Sequence, residues 1–226
     1  MVALLVRRAS LFSVGILMAF PCAGKVHASP PVSVASEVSR PSLSMQISVS
    51  DEQGAGALNF VKSTAEKGLT FLSAPDSPQE QKKSEFKKLL DHSFDLETIG
   101  RFVLGKYWNV ATPAQQKEYT SLFKKMVVEV YAGRFGEYKG EKFEVKSVRS
   151  ISTKDSLVTS YIVPVNGGEP IQVDWRVRQT GSTYKVVDVL VSGVSMSVTQ
   201  RSDFSSVIQR GGGDVAVLID YLKQKF

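Results

Sequence analysis

His92 is the first place to look for chemistry, because imidazole titrates near neutral pH and serves as base, acid or metal ligand. It stands between Asp91 and Ser93. Adjacent residues on a helix point in different directions, so this run does not assemble a nucleophile, a base and an orienter. Asp174 and Asp188 fall on neighbouring predicted strands, and a carboxylate pair can hydrolyse glycosides. Asp174 shares its strand face with Arg176 and Arg178, so a cross-strand ion pair is the expected use of that charge. Gly211-Gly212-Gly213 lacks the Lys-Ser/Thr of a phosphate-binding loop and reads as a break between two helices. Metal sites need several His, Cys or carboxylate ligands at defined spacing, and none is spaced that way. No catalytic residue, metal or cofactor is assigned.

The compartment follows from the first residues. Arg7 and Arg8 precede an uncharged apolar run, Ala9 to Phe20, and Val26-His27-Ala28 places short residues where a signal peptidase reads. That order predicts a secretory signal peptide over 1–28. The apolar run is shorter than the roughly 20 residues of a spanning helix. Cys22 is the single cysteine of the chain and lies in the leader. Cleavage after Ala28 leaves a chain without thiol chemistry or disulfides. The formal charge of +6 includes Arg7, Arg8 and Lys25. The remaining excess is mild and interleaved with acids, which is no nucleic-acid footprint.

Residues 29–53, rich in Ser with Pro30, Pro31 and Pro41, read as a disordered tether. A folded α+β domain is expected over 54–226. Leu58, Val61, Ala65, Leu69 and Leu72 recur at helical steps. Phe86, Leu89, Leu90 and Phe94 mark a second helix, and Asp95 is the expected N-cap of a third, Leu96 to Tyr107. Thr112, Pro113 and Gln115 form a capping-box start for a long helix over 113–138. Its apolar stripe includes Phe123, Met126, Val127, Val130 and Tyr131. Near Gly140 the period changes from 3.6 to 2. Four strands joined by hairpins at Asn166-Gly167-Gly168 and Thr180-Gly181-Ser182 predict a four-stranded antiparallel meander. A slip in alternation near Ser147 predicts a bulge. Two further helices close the chain, one starting at Ser202-Asp203 and one capped by Asp214. The oily face of the sheet is assigned to Phe143, Val145, Tyr161, Val163, Val173, Trp175 and Val177. Periodicity alone leaves open whether these residues fill a core or line a pocket.

Several stretches together resemble the MlaC family, also described as the toluene-tolerance auxiliary component. They are Phe102-Val103-Leu104-Gly105-Lys106-Tyr107-Trp108 with Ala111-Thr112-Pro113-Ala114-Gln115, then Val130-Tyr131. Val187-Asp188-Val189, Ser192-Gly193-Val194-Ser195, Gln200-Arg201-Ser202-Asp203-Phe204 and Gly213 with Leu218–Leu222 follow in order. A related branch, HpnM, is associated with hopanoid biosynthesis. The resemblance implies a helical layer wrapped around a twisted sheet, with a deep hydrophobic cavity that takes acyl chains and no enzymatic activity. It implies a periplasmic carrier of phospholipid, working between an outer-membrane lipoprotein complex and an inner-membrane ABC transporter complex. Carriage of a hopanoid or other apolar lipid, and a non-carrier adaptor role, are the alternatives. The lining residues expected on this reading are those of the helix stripe and the oily sheet face named above. Gly193, Ser195 and Arg201 are expected to be structural.

Overall fold

A computed structural model describes residues 47–226 apart from Pro75, with side chains described from Glu52 onward. The expected leader and the tether through residue 46 lie outside the described residues. Helix α1 spans Ile47–Leu72, so 47–53, expected as the end of the tether, is helical. Then come α2 (Gln79–Ser93), α3 (Leu96–Leu104), a 3-10 segment (Gly105–Asn109) and α4 (Pro113–Ala132). The sheet comprises β1 (Lys142–Ser150), β2 (Asp155–Val163), β3 (Ile171–Thr180), β4 (Thr183–Val191) and β5 (Val194–Ser195); α5 (Met196–Arg210) and α6 (Val215–Lys225) end the chain.

The local signals act as expected at the helix starts. Asp95 accepts from the Thr98 amide at 2.9 Å. Thr112 and Gln115 exchange both capping-box bonds, at 3.2 and 2.9 Å, and Asp214 accepts from the Ala216 amide at 2.8 Å. Each bond satisfies a donor that the helix itself leaves open. Three expectations shift. The third helix, expected through Tyr107, stops at Leu104 and passes into the 3-10 segment. The long helix stops at Ala132 and not at 138; a 3-10 turn, Phe135–Glu137, follows it. Helix α5 begins at Met196, because Ser195 caps it by accepting from the Val198 amide at 3.1 Å.

The strands pair antiparallel in the order β1-β2-β3-β4-β5. The two-residue β5 extends the expected four-stranded meander to five. The β1–β2 register shifts between Val145 and Ser147, which is the expected bulge. Helix α1 packs across the inner face of the sheet against β1 to β4. A Cβ on Gly56 would stand 2.1 Å from the Tyr184 hydroxyl, so any larger residue there displaces that ring. The interior has three apolar clusters. One joins the sheet to α1 around Val158, Val173 and Trp175. Another joins α3, α4, α5 and α6 around Tyr119, Phe123 and Phe204. The third lies around Phe86, Leu90 and Phe135. Tyr119 is fully buried and its hydroxyl donates to the Gly100 carbonyl at 2.9 Å; burial pushes its ionisation far above the ordinary phenol range.

The expected ion pair at Asp174 is replaced by one at Asp155. Asp174 accepts from Thr159 Oγ1 at 2.6 Å and from Gln172 Nε2 at 2.9 Å. The Asp155 side chain, 3% exposed, accepts from Arg178 at 2.7 and 2.9 Å and from Arg176 at 3.0 and 2.6 Å. Asp155 lies directly opposite Arg178 in the register, so pleat geometry makes this pair. Arg178 and then Arg176 hold its carboxyl below the usual range, against the opposing effect of burial. A lowered native value adds stability at neutral pH that disappears as pH falls through it. Asp155→Asn is expected to cost about 1–3 kcal/mol at pH 7. The gap to wild type narrows below about pH 4, where the unfolded carboxyl takes up its proton, and closes below the lowered native value. Urea unfolding at pH 7 and pH 3 checks this; an equal gap at both pH values refutes it.

Candidate functional site

The site is built from helix spacing. On α4 the positions 123, 126, 127, 130 and 131 lie on one stripe, and the capping box at Thr112 fixes where that helix starts. Phe86 and Leu90, one turn apart on α2, continue the wall. Phe94 follows, tied to the sheet by the Asp95 amide donating to the Val186 carbonyl at 3.0 Å. From α3 come Leu96, Ile99 and Val103; from the sheet, Trp175 and Val189; from α5, Met196, Ser197 and Gln200. These residues enclose a cavity of about 830 Å³, its open mouth included. The space inside it that a water-sized sphere can occupy is about 120 Å³.

The wall is apolar except where Asp188, Ser197 and Gln200 meet. Asp188 is fully engaged. Its Oδ2 accepts from Ser195 Oγ at 2.7 Å, and its Oδ1 from the amides of Val189 and Ser197 at 2.9 and 3.2 Å. The carboxylate therefore occupies the amide end of α5, a position the helix dipole favours. A second cavity, about 440 Å³ with its mouth, lies between α1 and the sheet, bounded by Thr64, Ala65, Gly68, Phe143, Ile162 and Trp175 among others.

Of the expected lining residues, Phe123, Met126, Val127, Val130, Tyr131 and Trp175 stand on the wall of the first cavity. Phe143 and Trp175 stand on the wall of the second. Val173 and Val177 are buried, and Val145 packs beside them, in the cluster beneath α1; they bound neither cavity. Tyr161 and Val163 point the other way. Opposite residues share a face, and Val158, Ser160 and Ile162 face Trp175, Val173 and Ile171. Tyr161 instead pairs with Gln172 and Glu144, and Val163 with Lys142. Both alternating sets of β2 contain apolar residues, which is why the alternation pointed to the wrong one. The wall also includes Phe86, Leu90, Phe94, Leu96, Ile99 and Val103, which the sequence alone does not single out. Their helical stripe was visible, but nothing in it distinguishes a wall from a packed core.

The residues first considered for chemistry stay apart. His92 is exposed, and its carbonyl and that of Asp91 accept from the Lys185 ammonium. Among the described residues no three His, Cys, Asp or Glu side chains gather as a metal site. No helix among them is long and apolar enough to cross a membrane.

The sequence matches the family described as MlaC protein over residues 62–224. The chain belongs to the MlaC family. Two curated relatives agree. The toluene tolerance protein ttg2D of Pseudomonas putida is 25% identical over 134 residues, 59% of this chain and 62% of that protein. The chain thus spans less than two thirds of the Pseudomonas protein's length. The intermembrane phospholipid transport system binding protein MlaC of Haemophilus influenzae is 21% identical over 165 residues, 70% of this chain and 77% of that one. A phospholipid-binding protein from Ralstonia solanacearum, solved in complex with a phospholipid, superposes with a TM-score of 0.64 at 28% identity; the match covers 74% of this chain and 95% of that one. The MlaC-like stretches have local structural roles. Gly105 has φ +61°, and a Cβ there would stand 2.7 Å from Arg201 Nε. Arg201 also lies over the Phe102 ring at 5.3 Å. Ser192 and Gly193, both at positive φ, turn β4 into β5.

Proposed function

We propose that the protein is a periplasmic phospholipid carrier, not a catalyst, taking acyl chains into the α2–α4–sheet cavity. The cavity carries the reading: an apolar space with its polar side chains gathered at one place, the start of α5. A diacyl lipid exposes on the order of thirty methylenes, each worth about 0.8 kcal/mol when removed from water. Such a molecule needs an apolar container to cross an aqueous gap. The headgroup faces Ser197 and Gln200, where the few polar contacts give little headgroup discrimination. The Haemophilus relative is described as a phospholipid transport binding protein and the Ralstonia neighbour holds a phospholipid. Both support the ligand class. On this reading the partners are an inner-membrane ABC transporter complex and an outer-membrane lipoprotein complex, and the leader at 1–28 supplies the export.

Native mass spectrometry of protein purified from the periplasm tests it. A bound mass equal to a diacyl phospholipid is the expected result. Lipid-free protein that takes up nothing from phospholipid vesicles overturns the reading. A bound polycyclic lipid moves the assignment to the hopanoid-associated branch.

A further inference from the structure

Two cavities meet at one side chain. Trp175 forms part of the wall of both. Phe94 bounds the first cavity and Phe143 the second, and each stands edge-on to the indole, with ring centres 6.4 and 6.0 Å away. Trp175 thus contacts one aromatic ring from the wall of each cavity. The indole N–H donates to Ser160 Oγ at 2.9 Å, and that hydroxyl donates to the Val173 carbonyl at 3.0 Å. Ser160 is fully buried on the apolar face of β2, between Val158 and Ile162. A hydroxyl is costly there unless bonded. Its bonds hold one side chain in place, the indole. Behind the ring, α1 presents Thr64, Ala65 and Gly68, whose small size leaves the second space open. A close-packed ring has nowhere to move; this one has a cavity on each side and a single hydrogen bond.

We propose that Trp175 is an internal partition, pinned by Ser160, that sets how many acyl chains the protein holds. With the indole bonded to Ser160, a ligand occupies the first cavity alone and contributes one chain. With the indole swung off that hydroxyl, the cavities join, and a two-chain lipid seats one chain in each. Trp175 is then the residue that sets specificity, and Ser160 is a positioning residue that acts through it. The proposal rests on the lipid-binding reading above.

The test uses delipidated protein with two probes of one headgroup, palmitoyl lysophosphatidylglycerol and dipalmitoyl phosphatidylglycerol. The chain has two tryptophans, so a Trp108→Phe background leaves Trp175 as the fluorescent reporter. The two-chain probe is expected to shift Trp175 emission, and the one-chain probe to leave it in place. Ser160→Ala is expected to raise the ratio of two-chain to one-chain uptake rates about tenfold, the weight of one hydrogen bond to the indole. Trp175→Phe, which keeps a ring but lacks the N–H, moves the ratio the same way and serves if Ser160→Ala folds poorly. Two-chain binding without an emission shift overturns the partition. So does a ratio unchanged in both variants; in either case lipid binding itself still stands. Wild-type protein that takes up neither probe overturns the partition and the carrier reading together.

Discussion

A Val130→Trp variant is expected to lose at least tenfold in phospholipid affinity while remaining folded. Val130 is half-buried on α4, one turn beyond Met126, and its side chain faces the first cavity. An indole placed there grows into existing space. Its cost to the fold therefore falls at the low end of the roughly 1–3 kcal/mol for overpacking. A destabilisation of that size shifts the midpoint of melting by only a few degrees in a domain of this length. The acyl chain, in contrast, loses the volume it needs. Val173→Trp is the matched control. Val173 is fully buried beneath α1 and bounds neither cavity, so the same indole is expected to unfold the protein. Vesicle-transfer assays and thermal melts on both variants read the two effects separately. Lipid uptake at wild-type level by Val130→Trp refutes the cavity as the acyl site.

Phe204→Ala is expected to cost about 3–5 kcal/mol, the usual range for emptying a buried aromatic site. Phe204 is 2% exposed and stands edge-on to Tyr119 and Phe123, at 6.2 and 6.5 Å. Set against a typical total stability of 5–15 kcal/mol, that loss is a large share of the whole. Phe123 also bounds the lipid cavity, so lipid retention is expected to fall with stability. Urea unfolding at neutral pH measures the first effect and native mass spectrometry the second. A change under 1 kcal/mol shows that α5 does not dock on α4 as described.

The parts of the fold written in the sequence are those fixed by neighbours along the chain. Thr112-Pro113 with Gln115 marks a helix start, and Asn166-Gly167-Gly168 and Gly181-Ser182 mark hairpins, because caps and turns are settled within a few residues. Features fixed by distant contacts are less legible. The core face of β2 depends on Ser160, a polar residue whose place is explained only by Trp175 across the sheet. Ser195 as the cap of α5 depends on Asp188 of β4, which accepts a hydrogen bond from its hydroxyl. The site shows the same division. The α4 stripe was legible from its period. The cavity it faces is a space left between four helices and a sheet, and no single segment encodes a space. The family resemblance supplies that expectation, on stretches in which Gly105 and Arg201 hold the fold together while Val103, Val189 and Gln200 reach the cavity wall.

The cluster around Tyr119 also bears on the order in which the chain folds. Helices α3 and α4 precede the sheet, yet their shared interior is filled by Phe204 and Ile208 of α5 and Leu218 and Leu222 of α6. Residues 105 and 201, which touch, are separated by the entire sheet. Contacts between such distant positions slow folding, since a large loop must close before they form. A chain that emerges from its N-terminal end thus exposes an oily helical half until residues 196–226 arrive. During that interval the apolar faces of α3 and α4 stay open to water, a state prone to aggregation.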